Sequence, residues 1–123
     1  PGAGLDKIIL RWSRCTLGDK ANLKEGTYEF TDSYRTKCNV LSGSSGSPIF
    51  NEDTKEIIAL INTTVNDSSE GQEACSLNRP CEIDEDNKIT TNTETNYMQP
   101  IQKIETCFTA KGEFDRNLDS CLL

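Results

Sequence analysis

A chain of 123 residues has room for one domain, and its net charge of −7 argues against nucleic acid or an anionic membrane surface as a partner. Only 34% of the residues are apolar, so the core is modest and covalent staples help at this size. Six cysteines without a single histidine, and without any C-x2-C pair, leave no zinc spacing, so disulfides in an oxidising compartment, secreted or periplasmic, are the expected use.

Pro1-Gly2-Ala3-Gly4 reads as the end of a linker or a cleavage site, and residues 1–6 are assigned to it. Residues 1–20 hold only the short apolar run Ile8-Ile9-Leu10, with no small-residue cleavage signal, so any targeting segment is expected upstream. No stretch approaches the roughly 18 apolar residues of a membrane span.

The first predicted strand covers residues 7–14, with Ile8, Leu10 and Trp12 in alternation. Asp19-Lys20-Ala21-Asn22 has the composition of a turn. Residues 27–30 form a second strand with Tyr28 and Phe30 on one face. Residues 47–50 and 56–65 are strands joined by the polar turn Asn51-Glu52-Asp53-Thr54-Lys55. Residues 56–61 are nearly all apolar, which predicts burial on both faces. Residues 66–94 are rich in Asn, Asp, Glu, Ser and Thr and predict an exposed loop pinned by a disulfide. Asn96-Tyr97-Met98 predicts a short last strand. Pro100 opens a short helix with Ile101, Ile104 and Phe108 on one face. The layout is mainly β: one antiparallel barrel over residues 7–108, a helix at its end, and a disulfide-tethered tail over residues 109–123.

Six cysteines admit many pairings. Local spacing favours Cys75–Cys81 and Cys107–Cys121, which leaves Cys15–Cys38. The Cys107–Cys121 bridge is worth roughly 3 kcal/mol in the chain-entropy model. No cofactor or metal site is legible; the acids Asp84, Glu85 and Asp86 read as a solvated loop.

The informative segment is Leu41-Ser42-Gly43-Ser44-Ser45-Gly46-Ser47-Pro48-Ile49-Phe50. A nucleophilic serine needs an exposed hydroxyl on a tight turn, backbone N–H groups at the developing oxyanion, and a neighbouring base. Gly43 and Gly46 flank Ser45, and glycine tolerates the dihedrals of such a turn. The apolar residues 48–50 then anchor the turn on a strand. By composition alone, a Gly/Ser-rich loop before a strand also fits an ordinary hairpin.

Gly43-Ser44-Ser45-Gly46-Ser47-Pro48 resembles the Gly-Asp-Ser-Gly-Gly-Pro signature of trypsin-like serine peptidases, and more closely the Gly-Asn-Ser-Gly-Ser-Pro variants of the bacterial branch that includes glutamyl endopeptidases. The resemblance implies the second barrel of a chymotrypsin fold, a six-stranded antiparallel Greek key. It implies that Ser45 is the nucleophile of a serine endopeptidase and that the N–H groups of Gly43 and Ser45 form an oxyanion hole. Asn39 and Val40 then fall at the base of the primary specificity pocket. Asn62, Thr63 and Thr64 fall on the segment that pairs with a peptide substrate as an added strand. Asn39 is not the aspartate that trypsin-like enzymes use against Arg or Lys. Ser44 stands where family zymogens carry the aspartate that pairs with a freed amino terminus, so that switch is not expected.

The triad also needs a base and an orienting carboxylate. The family takes both from the first barrel, and this sequence contains no histidine. Lys37 and Lys55 are near in sequence, but an exposed lysine is protonated near neutral pH and makes a poor base. The expected partners are therefore a first barrel carrying His and Asp, and a peptide or protein substrate. The alternative is a non-catalytic module that keeps the same scaffold for binding.

Overall fold

The computed structural model describes residues 12–40, 43–64 and 73–122. Seven strands and one short helix follow one another: β1 (Leu17–Glu25), β2 (Tyr28–Thr36), β3 (Pro48–Phe50), β4 (Ile57–Thr63), β5 (Cys81–Ile83), β6 (Ile89–Thr90), β7 (Asn96–Pro100) and α1 (Gln102–Glu105). They make one sheet in the order β3-β4-β7-β2-β1-β5-β6, with every neighbouring pair antiparallel. Among the described residues this sheet is open, with β3 and β6 at its edges, where the sequence layout predicts an antiparallel barrel and the family resemblance implies six strands. Residues 7–11 of the first expected strand lie outside the described residues, and residues 12–14 have no regular structure.

Residues 19–22 are not a turn but the middle of β1. Ala21, Leu23 and Glu25 are buried in alternation along it. Pairing with β2 on one edge and β5 on the other overrides the local turn preference of Asp19 and Asn22. The misfit is absorbed by register shifts on either side of residues 20–21. There the Asn22 Oδ1 accepts the N–H of Asp32, whose φ of 55° is left-handed. β1 turns into β2 through the two-residue loop Gly26-Thr27, where Gly26 supplies a φ of 60°.

β7 is the centre of the packing. Its neighbours Tyr97 and Met98 are both fully buried and point to opposite faces. Tyr97 joins Ala21, Leu23 and Phe30 on one face. Met98 joins Cys38, Ala59 and the half-buried Ile49, Ile58 and Ile61 on the other. In β4 only Ala59 and Thr63 are fully buried and Ile57 is exposed. That strand is therefore not covered on both faces over its whole length.

Disulfides join Cys15 to Cys38, Cys75 to Cys81 and Cys107 to Cys121, a density that fits an oxidising compartment. No helix among the described residues is long and apolar enough to cross a membrane. The segment read as a loop over residues 66–94 holds β5 and β6, and β5 extends the sheet past β1. It is tied down twice more: the Gly26 N–H donates to the Cys75 carbonyl at 2.6 Å, and the Asn78 N–H to the Glu25 carboxylate at 2.7 Å. Replacing Cys75 and Cys81 together by serine is expected to cost about 2 kcal/mol, the chain-entropy value for so short a loop. A urea unfolding midpoint unchanged from that of the native protein would contradict this.

α1 is one turn, shorter than the sequence predicts. Ile101 caps it and Phe108 lies beyond it. The chain reverses there, because Cys107 is bridged to Cys121 and Phe108 pairs with Phe114 edge-to-face at 5.6 Å.

Candidate active site

The segment around Ser45 is held by its connection to β3 and β4. Pro48 pairs with Leu60 and Ile49 with Ala59. Backbone bonds continue this ladder back into the turn: Ile61 N–H to the Ser47 carbonyl at 3.0 Å, and Gly46 N–H to the Ile61 carbonyl at 2.8 Å. The Ser47 N–H closes on the Ser44 carbonyl at 3.0 Å. Gly43 and Gly46 have φ of 89° and 82°, a region where a side chain would be strained, so the glycines on either side of the serines are needed by the backbone path.

This path leaves Ser45 exposed and tucks Ser44 inward at 8% exposure. The Ser45 hydroxyl donates to the Asn62 carbonyl at 3.5 Å, a long and weak bond. No acceptor among the described residues takes the N–H of Gly43 or of Ser45. Ser45 and Asn62 are therefore side by side, 17 residues apart in sequence. Beyond Ile61, β4 keeps β7 on one side, through the pair Thr63–Tyr97, and faces the Ser45 turn on the other. Thr63 is buried, whereas Asn62 and Thr64 are half-buried. Asn62 Nδ2 is a buried donor with no partner among the described residues.

Asn39 and Val40 follow directly on Cys38, which is 3% exposed and bonded to Cys15. The Thr36 hydroxyl accepts the Cys38 N–H at 3.0 Å and fixes that stretch further. Asn39, Val40 and Ser44 line a groove of 860 Å³ together with Trp12, Phe50 and Met98. Trp12 stacks on Phe50 with ring centres 6.4 Å apart, and Arg14 pairs with Glu52 at 2.7 Å, so residues 12–14 run beside the β3 end of the sheet. Ser45, Asn62, Thr63 and Thr64 are not part of the groove lining, so the groove that holds the expected pocket base reaches the turn at Ser44 and not at the expected nucleophile.

One residue that the sequence reading passed over connects these parts. Asn96, at the start of β7, donates through Nδ2 to the Cys38 carbonyl at 2.8 Å. Its Oδ1 accepts the hydroxyl of Thr64. No signal in a single sequence separates this asparagine from the polar residues before it.

A second ion pair lies away from this turn. Arg35 on β2 makes a two-pronged contact with Glu82 on β5, Nε to Oε1 and Nη2 to Oε2, both at 2.7 Å. The Tyr97 hydroxyl donates to the same Oε1 at 2.9 Å. The Arg35 hydrogen bond holds the Glu82 carboxyl below the usual range, and the Glu82 hydrogen bond raises Arg35 in return. Burial, then the bond to Glu82, pushes the Tyr97 phenol up. This trio spans three strands and contains no part of the Ser45 turn.

Among the described residues no base bonds to the Ser45 hydroxyl. Lys37 and Lys55 are exposed, and the only hydrogen bond of the Ser45 hydroxyl among the described residues is to Asn62. The described residues hold no group of three or more His, Cys, Asp or Glu placed for a metal ion. No family model matches the sequence, and no curated protein and no solved structure matches it.

Proposed function

We propose that this chain is the nucleophile-bearing half of a serine endopeptidase, with a first barrel elsewhere supplying the histidine and aspartate. The observation that carries this reading is the Ser45 turn. An exposed hydroxyl sits between two left-handed glycines, next to backbone N–H groups that bond to no acceptor among the described residues, on a strand ladder that makes it rigid. In an acyl transfer the base would take the Ser45 proton while Oγ attacks the substrate carbonyl, and the N–H groups of Gly43 and Ser45 would hold the oxyanion. Residues 62–64 border the turn and offer a strand edge for the peptide.

The strand order supports the same reading. β7 lies between β4 and β2, so the chain leaves β2, forms the β3–β4 hairpin, and returns beside β2 at the end. A strand that returns beside an earlier neighbour in this way is compatible with a Greek-key path. The contacts of Trp12 and Arg14 with Phe50 and Glu52 bring the amino-terminal segment to the open β3 edge, where a closing strand would pair.

Mass spectrometry of the native protein, first under non-denaturing and then under denaturing conditions, tests the need for a second half. The expected result is an associated barrel of similar size that contains histidine, on the same or a separate polypeptide. A stable species with no histidine anywhere would overturn the catalytic reading.

None of Asn39, Val40, Asn62, Thr63 and Thr64 carries a charge. Peptides with Arg or Lys before the scissile bond are therefore expected to be cleaved at least about tenfold less efficiently than those with a neutral residue there. Ranking kcat/KM over a peptide series that varies only this residue checks it.

A further inference from the structure

We propose that the groove beside β3 takes the chain's own residues 7–11, with Ile8 and Leu10 against its apolar wall and their backbone paired to the edge of β3. The wall is made of Leu17, Val40, Ile49, Ile58 and Ile61, half-buried side chains that pack on the cluster around Met98 and also line the groove. Covering such a wall is favourable in proportion to the apolar area removed from water. Among the described residues β3 pairs on one edge alone, with β4. An unpaired edge of this kind is a template for a further strand.

The eleven residues that precede Trp12 are placed to supply it. Trp12, Arg14 and Cys15 line the groove, and the contacts Trp12–Phe50, Arg14–Glu52 and Cys15–Cys38 fix them there. Leu10 is two residues from Trp12, at most about 7 Å along an extended chain. The faces also match. In a strand, Ile8, Leu10 and Trp12 share one side, and Lys7, Ile9 and Arg11 the other. The first side is wholly apolar and suits the groove; the second carries two charges and suits water. Trp12 is the described member of the apolar side, and it is on the groove. Residues 65–72 hold a single apolar side chain, Val65, and make a poor cover for the same wall. Ser45 plays no part in this docking, so the peptidase reading and this inference stand or fall separately.

The test uses the complete protein with a diazirine analogue of leucine, nearly the same in shape, at position 10. Irradiation followed by peptide mass spectrometry locates the adduct. The expected adduct joins position 10 to groove-lining residues of the same chain, Ile49, Phe50 or Ile58 foremost. Adducts confined to a second copy, to the complementary barrel or to other surfaces of this chain overturn the proposal, and so does quenching by water with no protein adduct. Thermal unfolding gives an independent reading. Leu10→Ser and Ile8→Ser are each expected to lower the melting temperature by at least about 5 °C, because each takes an apolar side chain out of the groove. Ile9→Ser, on the charged side, is expected to lower it by less than about half as much. An unchanged melting temperature in Leu10→Ser, or equal losses from all three variants, contradicts the assignment of faces and overturns the proposal. A variant that fails to fold is replaced by Leu10→Ala, for which a smaller loss in the same order is expected and no loss overturns it.

Discussion

Replacing Ser45 by alanine in the complete protein is expected to lower the kcat for peptide hydrolysis by at least about 10⁴-fold, with stability unchanged to within about 0.5 kcal/mol. The size of the first effect follows from the role: without the hydroxyl no acyl-enzyme forms, and only oxyanion stabilisation and substrate binding remain. The smallness of the second follows from the surroundings. The side chain is exposed, and its hydrogen bond to the Asn62 carbonyl is 3.5 Å long. The turn is held by Gly46, Ser47 and Ile61 through their backbones, which alanine leaves in place. Ser44→Ala serves as the control. Ser44 is the buried neighbour, so its loss affects packing and leaves the nucleophile intact. Equal losses of activity in the two variants would contradict the assignment of Ser45. Progress curves combined with urea unfolding separate the two effects.

Replacing Glu82 by alanine is expected to have the largest effect on stability, about 3 kcal/mol. Glu82 on β5 ties three strands together, through Arg35 on β2 and Tyr97 on β7. Removing it leaves the Tyr97 hydroxyl on a fully buried residue and an arginine without its partner, and an orphaned buried group costs more than the bond itself was worth. Glu82→Gln keeps an acceptor for Tyr97 and is expected to cost less than half as much. The contact also has a pH signature. The folded-state pKa of Glu82 is lowered, chiefly by the Arg35 hydrogen bond. Its contribution is therefore fully present above the unfolded carboxyl range, near about 4.3, and is lost as the pH falls through the lower folded value. Native and Glu82→Gln proteins should thus converge in stability on the acid side and separate above about pH 5. Urea midpoints taken from pH 2 to pH 7 measure this; a gap that stays constant over that range would contradict it.

Much of the β architecture is legible where short apolar runs are set off by polar turn residues. The β3–β4 hairpin is such a case: an apolar run, a polar turn in which Asn51 Oδ1 accepts the N–H groups of Asp53 and Thr54, and a second apolar run. The last strand and the tethered tail are legible for the same reason, with cysteine spacing added. Asp19 and Asn22 mislead because turn-forming side chains also sit well at a bulge, and only the flanking strands decide between the two. β5 and β6 are hidden because they have three and two residues, too short to show a period against a polar background. The short helix is overextended for a different cause. A disulfide and an aromatic pair turn the chain at Cys107 and Phe108, and neither constraint shows in the spacing of apolar residues that suggests the helix.

For the site, the motif around Ser45 is readable because the glycines and the serine are contiguous. The Ser45–Asn62 proximity depends on hairpin register, and the Asn96 bridge on two residues far from each other in sequence. Neither is accessible from local pattern. The Arg35–Glu82–Tyr97 trio joins three strands that are distant along the chain and could not be read either.

The central claim is that the Ser45 hydroxyl becomes a nucleophile when the complementary barrel is present. Treating the complete protein with a fluorophosphonate and locating the adduct by peptide mass spectrometry tests this directly. The account predicts one adduct per molecule, on Ser45, blocked by prior unfolding and absent from the isolated 123-residue chain. An intact complete protein that stays unlabelled, or one that carries the adduct on another serine, would contradict it.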